Sequence, residues 1–348
     1  MLSNINLAGS GSCYIIQNIY QAVAHCTEFS YISVSEPTMS NIWEVVLLFG
    51  NFSEIRQAAR KISDARVAIP MGHDASSMEA LLTAYEEDLA SAIIIGPEAG
   101  ARETLKGLGK NLPEEIEIHD CEDPEIAALE AVKLVASGEA SILMKGLIKT
   151  SIFQKALLDK EIGLRTGRIL SHVAVVHVPR QDRLVAISDG GMNIKPDDQA
   201  IRQIAENAAD VIMKLGAEKP LVALLAAIEV PNEKMPETVM FSEIAADGIK
   251  GLIVAGPVAV DGAIDPEAAA LKGMSGEVAG NANVLIKKAL KPGSRSAKAF
   301  MYMTNAEVGG LIAGAAAPVV MLSRSDKPAT KLNSLALGVV VSGGSNDR

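Results

Sequence analysis

Residues 67–95 read V-A-I-P-M-G-H-D-A-S-S-M-E-A-L-L-T-A-Y-E-E-D-L-A-S-A-I-I-I, and this stretch decides the fold. It opens on a short apolar run, 67–70. Ser76 and Glu79 then stand at capping-box spacing. Met78, Leu81, Leu82, Tyr85 and Leu89 follow at helical intervals. A second apolar run, 92–95, closes the segment. The order is strand, helix, strand. Both runs are continuous rather than alternating, as expected of strands buried on both faces of a parallel sheet.

The same alternation extends outward from this unit. Further strand-like runs fall at 141–144, 173–178, 184–187, 221–228, 252–254, 318–322 and 337–341. Between them lie helical patterns with punctuation of their own. Asp123 and Pro124 open a helix carrying Ile126, Leu129, Val132 and Val135, which Gly138 ends. Asp197 opens another, with Ile201, Ile204, Ala208, Val211 and Leu215 on one face and Gly216 after it. The pattern predicts an α/β protein with doubly wound parallel sheets in two lobes. No period of 20–50 residues recurs, which excludes a solenoid.

Composition narrows the function. The chain has 348 residues with a formal net charge of −10, 49% hydrophobic residues and 3% aromatics. A nucleic-acid binder would carry a basic patch and stacking aromatics, so the sequence argues against that class. Three cysteines at positions 13, 26 and 121 form neither a disulfide framework nor a metal-ligand spacing, and read as free thiols of a reducing cytoplasm. No Lys or Arg precedes Arg56, so the positive start of a signal peptide is missing. The uncharged stretch 308–323 is too short and too glycine-rich to span a membrane. Of the twelve aromatic residues, seven precede position 53. Residues 1–38 are therefore expected to be an N-terminal extension outside the fold.

In open parallel sheets ligands bind beyond the carboxyl ends of the strands. After Met144 come Lys145 and Gly146, then Thr150 at a helix start, a pattern that suits an anion and that an exposed lysine beside a cap would also produce. Arg165 and Arg168 are framed by Gly163 and Gly167, which fits phosphate recognition or a solvated loop. The turn Ser188-Asp189-Gly190-Gly191-Met192-Asn193 lets backbone approach a ligand closely. Ser323-Arg324-Ser325-Asp326 ends a strand as a compact acid–base and anion site, or as a surface turn. His73, His119, His172 and His177 have no second ligand at metal spacing and read as structural; no metal site is expected.

Six segments together resemble the phosphate acetyl/butyryl transferase family, nearest to its phosphate butyryltransferases. They are M-K-G-L-I-K-T at 144–150, E-I-G-L-R-T-G-R-I-L-S-H-V at 161–173 and S-D-G-G-M-N-I at 188–194, then D-P-E-A-A-A-L-K-G at 265–273, V-A-G-N-A-N-V-L-I at 278–286 and P-V-V-M-L-S-R-S-D at 318–326. The resemblance implies an isocitrate/isopropylmalate-dehydrogenase-like α/β fold. Domain I would comprise 39–145 plus 313–348 and domain II 146–312, with the active site in the cleft between them. One departure stands out: where the family carries an acidic stretch of the form E-A-G-N, residues 287–296 read K-K-A-L-K-P-G-S-R-S.

The reaction implied is acyl-CoA plus phosphate giving acyl phosphate plus CoA, reversibly, by direct thiolate attack and with no cofactor beyond the substrates. By resemblance Ser323 polarises the acyl carbonyl, Arg324 holds phosphate and Asp326 is the candidate base. Lys145, Thr150, Arg165, Ser171, Asp189 and Asn193 are the candidate substrate-binding residues. A cytoplasmic homo-oligomer, a dimer or larger, is implied, with no nucleic-acid or membrane partner. The alternatives are an acyl carrier protein:phosphate acyltransferase-like enzyme and a catalytically degenerate paralogue that binds CoA esters.

Overall fold

The computed structural model describes residues 49–62, 64–179, 181–288, 306–321 and 326–343. The expected extension at 1–38 and the predicted catalytic pair Ser323 and Arg324 lie outside these residues.

The first strands and helices alternate as the sequence predicts. Helix α1 (Phe52–Ala59) leads to β1 (Arg66–Pro70), α2 (Ala75–Glu86), β2 (Ser91–Gly96), α3 (Glu98–Leu108), β3 (Ile116–Asp120), α4 (Pro124–Ala136), β4 (Ile142–Met144) and α5 (Thr150–Leu157). The chain continues through β5 (Ser171–Val178), β6 (Arg183–Ser188), α6 (Asp198–Lys214), β7 (Leu221–Leu225), α7 (Pro236–Asp247), β8 (Ile253–Val258), and the short helices α8 (Val260–Ile264) and α9 (Pro266–Leu271). The last described elements are β9 (Val284–Lys287), β10 (Val308–Ala313), β11 (Val319–Val320) and α10 (Pro328–Ser342).

Local chemistry accounts for the boundaries. Asp123 caps α4 by accepting from the amides of Glu125 at 2.7 Å and Ile126 at 3.2 Å, with Pro124 in the first turn. Asp197 caps α6 through Ala200 N at 2.9 Å. For α2 the cap is Asp74, which accepts from Ser77 N at 3.2 Å, rather than the predicted Ser76. Ser76 instead accepts from Lys331 of α10 at 2.5 Å, a tertiary use of a residue that also suits a cap.

The eleven strands among the described residues form one sheet, in the order β3-β2-β1-β4-β11-β10-β5-β6-β9-β7-β8. Most neighbours are parallel, but β5 runs antiparallel to both β6 and β10, and β10 antiparallel to β11. This differs from the uniformly parallel expectation. A tight connection such as that from β5 to β6 leaves no length for a crossover helix, so the chain must reverse.

Alternation assigns each strand residue to a face. Val67, Ile94, Ile142, Val173, Ala186, Val284, Leu311 and Val320 join one core with α1, α2, α6, α7 and α10. On the other face, Ala68, Ile93, Leu143, Ile312 and Val319 pack with α4 and α5. Val185, Ile187, Ala223 and Leu285 form a third core with Ala263 and Ile264 of α8. Phe52, Phe153 and Phe241 are the largest side chains fully buried among the described residues, and most of the other buried side chains are aliphatic.

The run 337–341, predicted as a strand, lies inside α10. Leu335, Ala336, Leu337, Val339 and Val340 are buried there, and α10 packs between β10, β4, α1 and α2. A helix buried on nearly every side shows no amphipathic stripe, so its apolar run reads like a strand.

Candidate active site

The registers align one row of residues across the whole sheet. On one side it runs Glu117, Ile93, Ala68, Leu143, Val319, Ile312 and His172 through β3, β2, β1, β4, β11, β10 and β5. Two steps beyond Ala174–Ile187, the last pair of the β5–β6 ladder, Asp189 stands opposite His172. One step beyond the β6–β9 ladder places Lys287 beside Asp189, and Leu225 and Val258 complete the row on β7 and β8. From Ile93 to Val258 the row is apolar except at three adjacent strands: His172, Asp189 and Lys287.

Asp189 is buried, with 4% of its surface exposed. Its Oδ1 accepts from the amides of His172 at 2.9 Å and Gly191 at 3.0 Å. Its Oδ2 accepts from the amides of Met192 at 3.0 Å and Asn193 at 2.6 Å, and from Asn193 Nδ2 at 2.8 Å. The carboxylate thus closes the 189–193 turn on itself and ties it to β5. Asn193 Nδ2 also donates to Leu170 O at 2.9 Å, a second tie to the segment entering β5.

Gly190 is required for this closure. Its amide donates to His172 O at 3.0 Å, and a Cβ on it would lie 2.1 Å from His172 Nδ1. No side chain fits there. His172 Nδ1 is sealed from solvent and has no hydrogen-bond partner among the described residues. Burial pushes the imidazole below its usual range; the charges of Asp189 and Asp326 partly offset this, and that of Lys287 adds to it. Lys287 is half-buried, and desolvation lowers its ammonium to about 8 against the pull of Asp189.

Asp326 precedes α10 and lies near enough to His172 for its charge to act on the ring. Lys145 leaves β4 with its amide donating to Val320 O at 2.9 Å, beside the end of β11. Gly146 lets this exit lie against β1, since a Cβ there would meet Pro70 O at 2.5 Å and Met71 O at 2.6 Å. Thr150 is exposed in the first turn of α5, and the cap position belongs to Lys149. One turn on, Gln154 Nε2 contacts Met192 Sδ at 3.9 Å, which joins α5 to the 189–193 turn.

Two predicted residues stand apart. Ser171 is fully buried and accepts from Asn207 Nδ2 at 3.0 Å, so it anchors β5 to α6. Arg165 is exposed, and its backbone bridges to Ala315. A cavity of about 710 Å³ lies between α6 and the β10–β11 connection, and none of the predicted site residues lines it. No cluster of three or more His, Cys, Asp or Glu side chains able to hold a metal occurs among the described residues. Nor is any helix among them long and apolar enough to cross a membrane.

Sequence reasoning passed over two members of the polar row. His172 reads as one of several isolated histidines, and Lys287 as the first residue of a basic stretch. A charged residue ending the apolar run 284–286 was the available signal, since the neighbouring strand β6 is also followed by a charged residue, Asp189.

The model of the family described as phosphate acetyl/butaryl transferase matches residues 125–339. The phosphate butyryltransferase of Clostridium beijerinckii is 38% identical over 295 residues, covering 84% of this chain and 97% of that protein. The crystal structure of a branched-chain phosphotransacylase from Enterococcus faecalis superposes with a TM-score of 0.71 at 33% identity, covering 80% of this chain and 99% of that one. A 4-hydroxythreonine-4-phosphate dehydrogenase from Klebsiella pneumoniae shares the fold alone, at a TM-score of 0.52 and 12% identity over 80% of this chain and all of that one. The dehydrogenase-like α/β architecture expected from the sequence is therefore present, and the chain belongs to the phosphate acetyl/butyryl transferase family.

Proposed function

We propose that the protein is a phosphate acyltransferase that moves a short acyl group, butyryl or acetyl in type, between CoA and inorganic phosphate. The observation that carries this reading is the likeness to a phosphate butyryltransferase along 97% of that protein's length. A phosphate oxygen attacks the thioester carbonyl, the tetrahedral adduct collapses, the C–S bond breaks and CoA leaves as thiolate. In reverse, the thiolate attacks the carbonyl of the acyl phosphate and phosphate leaves. A free thiol ionises near pH ~8.5, so the reverse direction needs a base.

In this reading Ser323 donates to the developing oxyanion, Arg324 holds phosphate and Asp326 takes the thiol proton. Lys145, Thr150 and Arg165 supply further contacts to the phosphoryl group. Asp189 and Asn193 act by holding the turn that faces α5, and Ser171 by anchoring β5. The site lies in a cleft between a lobe of residues 39–145 and 313–348 and a lobe of 146–312. The same reading includes a cytoplasmic homo-oligomer that uses no cofactor besides its substrates.

A thiol-release assay with acetyl-, propionyl- and butyryl-CoA tests it. Release that needs phosphate and is lost in Arg324→Ala is the expected result. Release only from a carrier-protein thioester would replace CoA as the donor. Thermal stabilisation by CoA esters without release from any donor would make the chain a binding protein.

A further inference from the structure

His172 opens the polar row, and among the described residues its hydrogen bonds are all made by its backbone. The amide donates to Asp189, and the carbonyl accepts from Gly190 N and Ser188 Oγ. The residue is partly exposed with Nδ1 sealed, so the open edge of the ring is the Nε2 side. That edge lies over Gly310 of β10, where a Cβ would come within 3.0 Å of Nε2. Two steps beyond the Ile312–Val319 pair, Gly310 stands opposite Met321. One step beyond the Val320–Met144 pair, Met321 stands beside Lys145. Alternation puts Lys145 and Met321 on the face of Leu143 and Val319, which is also the face of His172. Gly310 therefore leaves room between Nε2 and the exits of β4 and β11.

Gly190 decides the tautomer. A Cβ on Gly190 would lie 2.1 Å from Nδ1, so the hydrogen that takes its place on Cα points at that nitrogen. A lone pair accepts such a contact, whereas an N–H would face another hydrogen and stay unpaired inside the protein. The ring proton therefore sits on Nε2. Burial keeps the imidazole neutral at physiological pH, which leaves it one N–H to donate. We propose that His172 is a catalytic residue of the acyl transfer, its Nε2–H donating a hydrogen bond to the acyl carbonyl oxygen. The proposal rests on the acyltransferase reading above.

The chemistry matches the position. Three of the candidate substrate-binding residues frame the ring: Lys145 across Gly310, and Asp189 and Asn193 in the turn that closes on β5. The carbonyl oxygen gains negative charge as phosphate or thiolate attacks. A donor already in place then stabilises the transition state more than the ground state. Gly190 and Gly310 lie against the two ring nitrogens, and the amide tie to Asp189 fixes the strand beneath, so the donor needs little reorganisation. The imidazole keeps its proton throughout. Its hydrogen bond tightens in the tetrahedral adduct and relaxes when the C–S or C–O bond breaks.

NMR of the full-length chain with nitrogen-labelled histidine reads the tautomer directly, His172→Gln serving to assign the signal. The expected spectrum at neutral pH has a protonated Nε2 and an unprotonated Nδ1. Butyryl-CoA added without phosphate should move the Nε2 resonance further than CoA does, since CoA lacks the acyl carbonyl. A proton on Nδ1 overturns the proposal, and so does a response to butyryl-CoA no larger than that to CoA. In the thiol-release assay, His172→Phe should lower kcat about 100-fold, the size of a lost oxyanion donor. KM for phosphate should stay within about twofold. His172→Gln, whose amide reaches toward the place of Nε2, should recover about tenfold of the loss. An unchanged kcat in His172→Phe, or a loss that glutamine does not relieve at all, overturns the proposal. If no donor is turned over but butyryl-CoA still moves Nε2, the acyltransferase reading fails and the contact from His172 to the acyl oxygen stands.

Discussion

Asp189 sits directly across from His172: the His172 amide donates to Asp189 Oδ1 at 2.9 Å, and the next amide, that of Gly190, returns to His172 O at 3.0 Å. A carboxylate side chain therefore takes over the ladder between β5 and β6 where the backbone turns away. This exchange fixes the 189–193 turn against α5 and brings three polar residues together in an otherwise apolar layer.

Asp189→Asn exchanges an acceptor oxygen for an amide that faces N–H donors. Some of the five donors must then lose their partner inside the protein. The expected loss of stability is about 2–4 kcal/mol, read by urea denaturation. The 189–193 amides should lose their protection against hydrogen exchange before β1 or β2 does.

Gly190→Ala drives a Cβ into His172 Nδ1, while the Gly190 amide is held by His172 O and cannot retreat. The substitution should cost about 2–3 kcal/mol. His172→Ala removes the obstacle, so the double variant should be more stable than the sum of the single effects by at least about 1 kcal/mol. Additive losses in a double-mutant cycle would remove the imidazole as the cause.

Lys287 holds its proton less tightly in the folded chain, at about 8, than the 10.5 of a free lysine. Between these values the unfolded chain carries a proton that the folded chain lacks, so stability rises with pH across that window. Below pH 8 the buried charge costs at most about 3 kcal/mol. Lys287→Met should therefore melt above the wild type at pH 7, with the gap closing as the pH approaches 10.5. Scanning calorimetry at several pH values measures the gap.

His172 is displaced in the same direction, below the 6.5 of a free imidazole. Stability is complete above pH 6.5 and falls as the pH drops through that value, because only the unfolded chain takes up the proton there. His172→Gln should flatten this acid limb in urea titrations between pH 6.5 and 5. An unchanged limb would assign the loss to another group.

Local features of the fold and of the candidate site were legible along the chain. The turn S-D-G-G-M-N, the lysine after β4 and the helix starts at Asp123 and Asp197 all appear where local chemistry places them. Glycine, proline and Asx residues act on their immediate neighbours, so their reading needs no partner from afar. Apolar runs likewise marked β1, β2, β4, β5, β6, β7 and β8. The run at 337–341 misled because an apolar segment buried on nearly every side has no period to betray its helix.

The sequence by itself determined which residues each strand points to either face, since that follows from the two-residue period of an extended chain. Tertiary structure decided which strands are neighbours. That choice set Lys287 beside Asp189, 98 positions away in the chain, and Asp189 opposite His172, and it reversed β5 within the sheet. No local propensity encodes such pairings. They come from burying three apolar layers at once, and the register that achieves this also lines up the three polar residues.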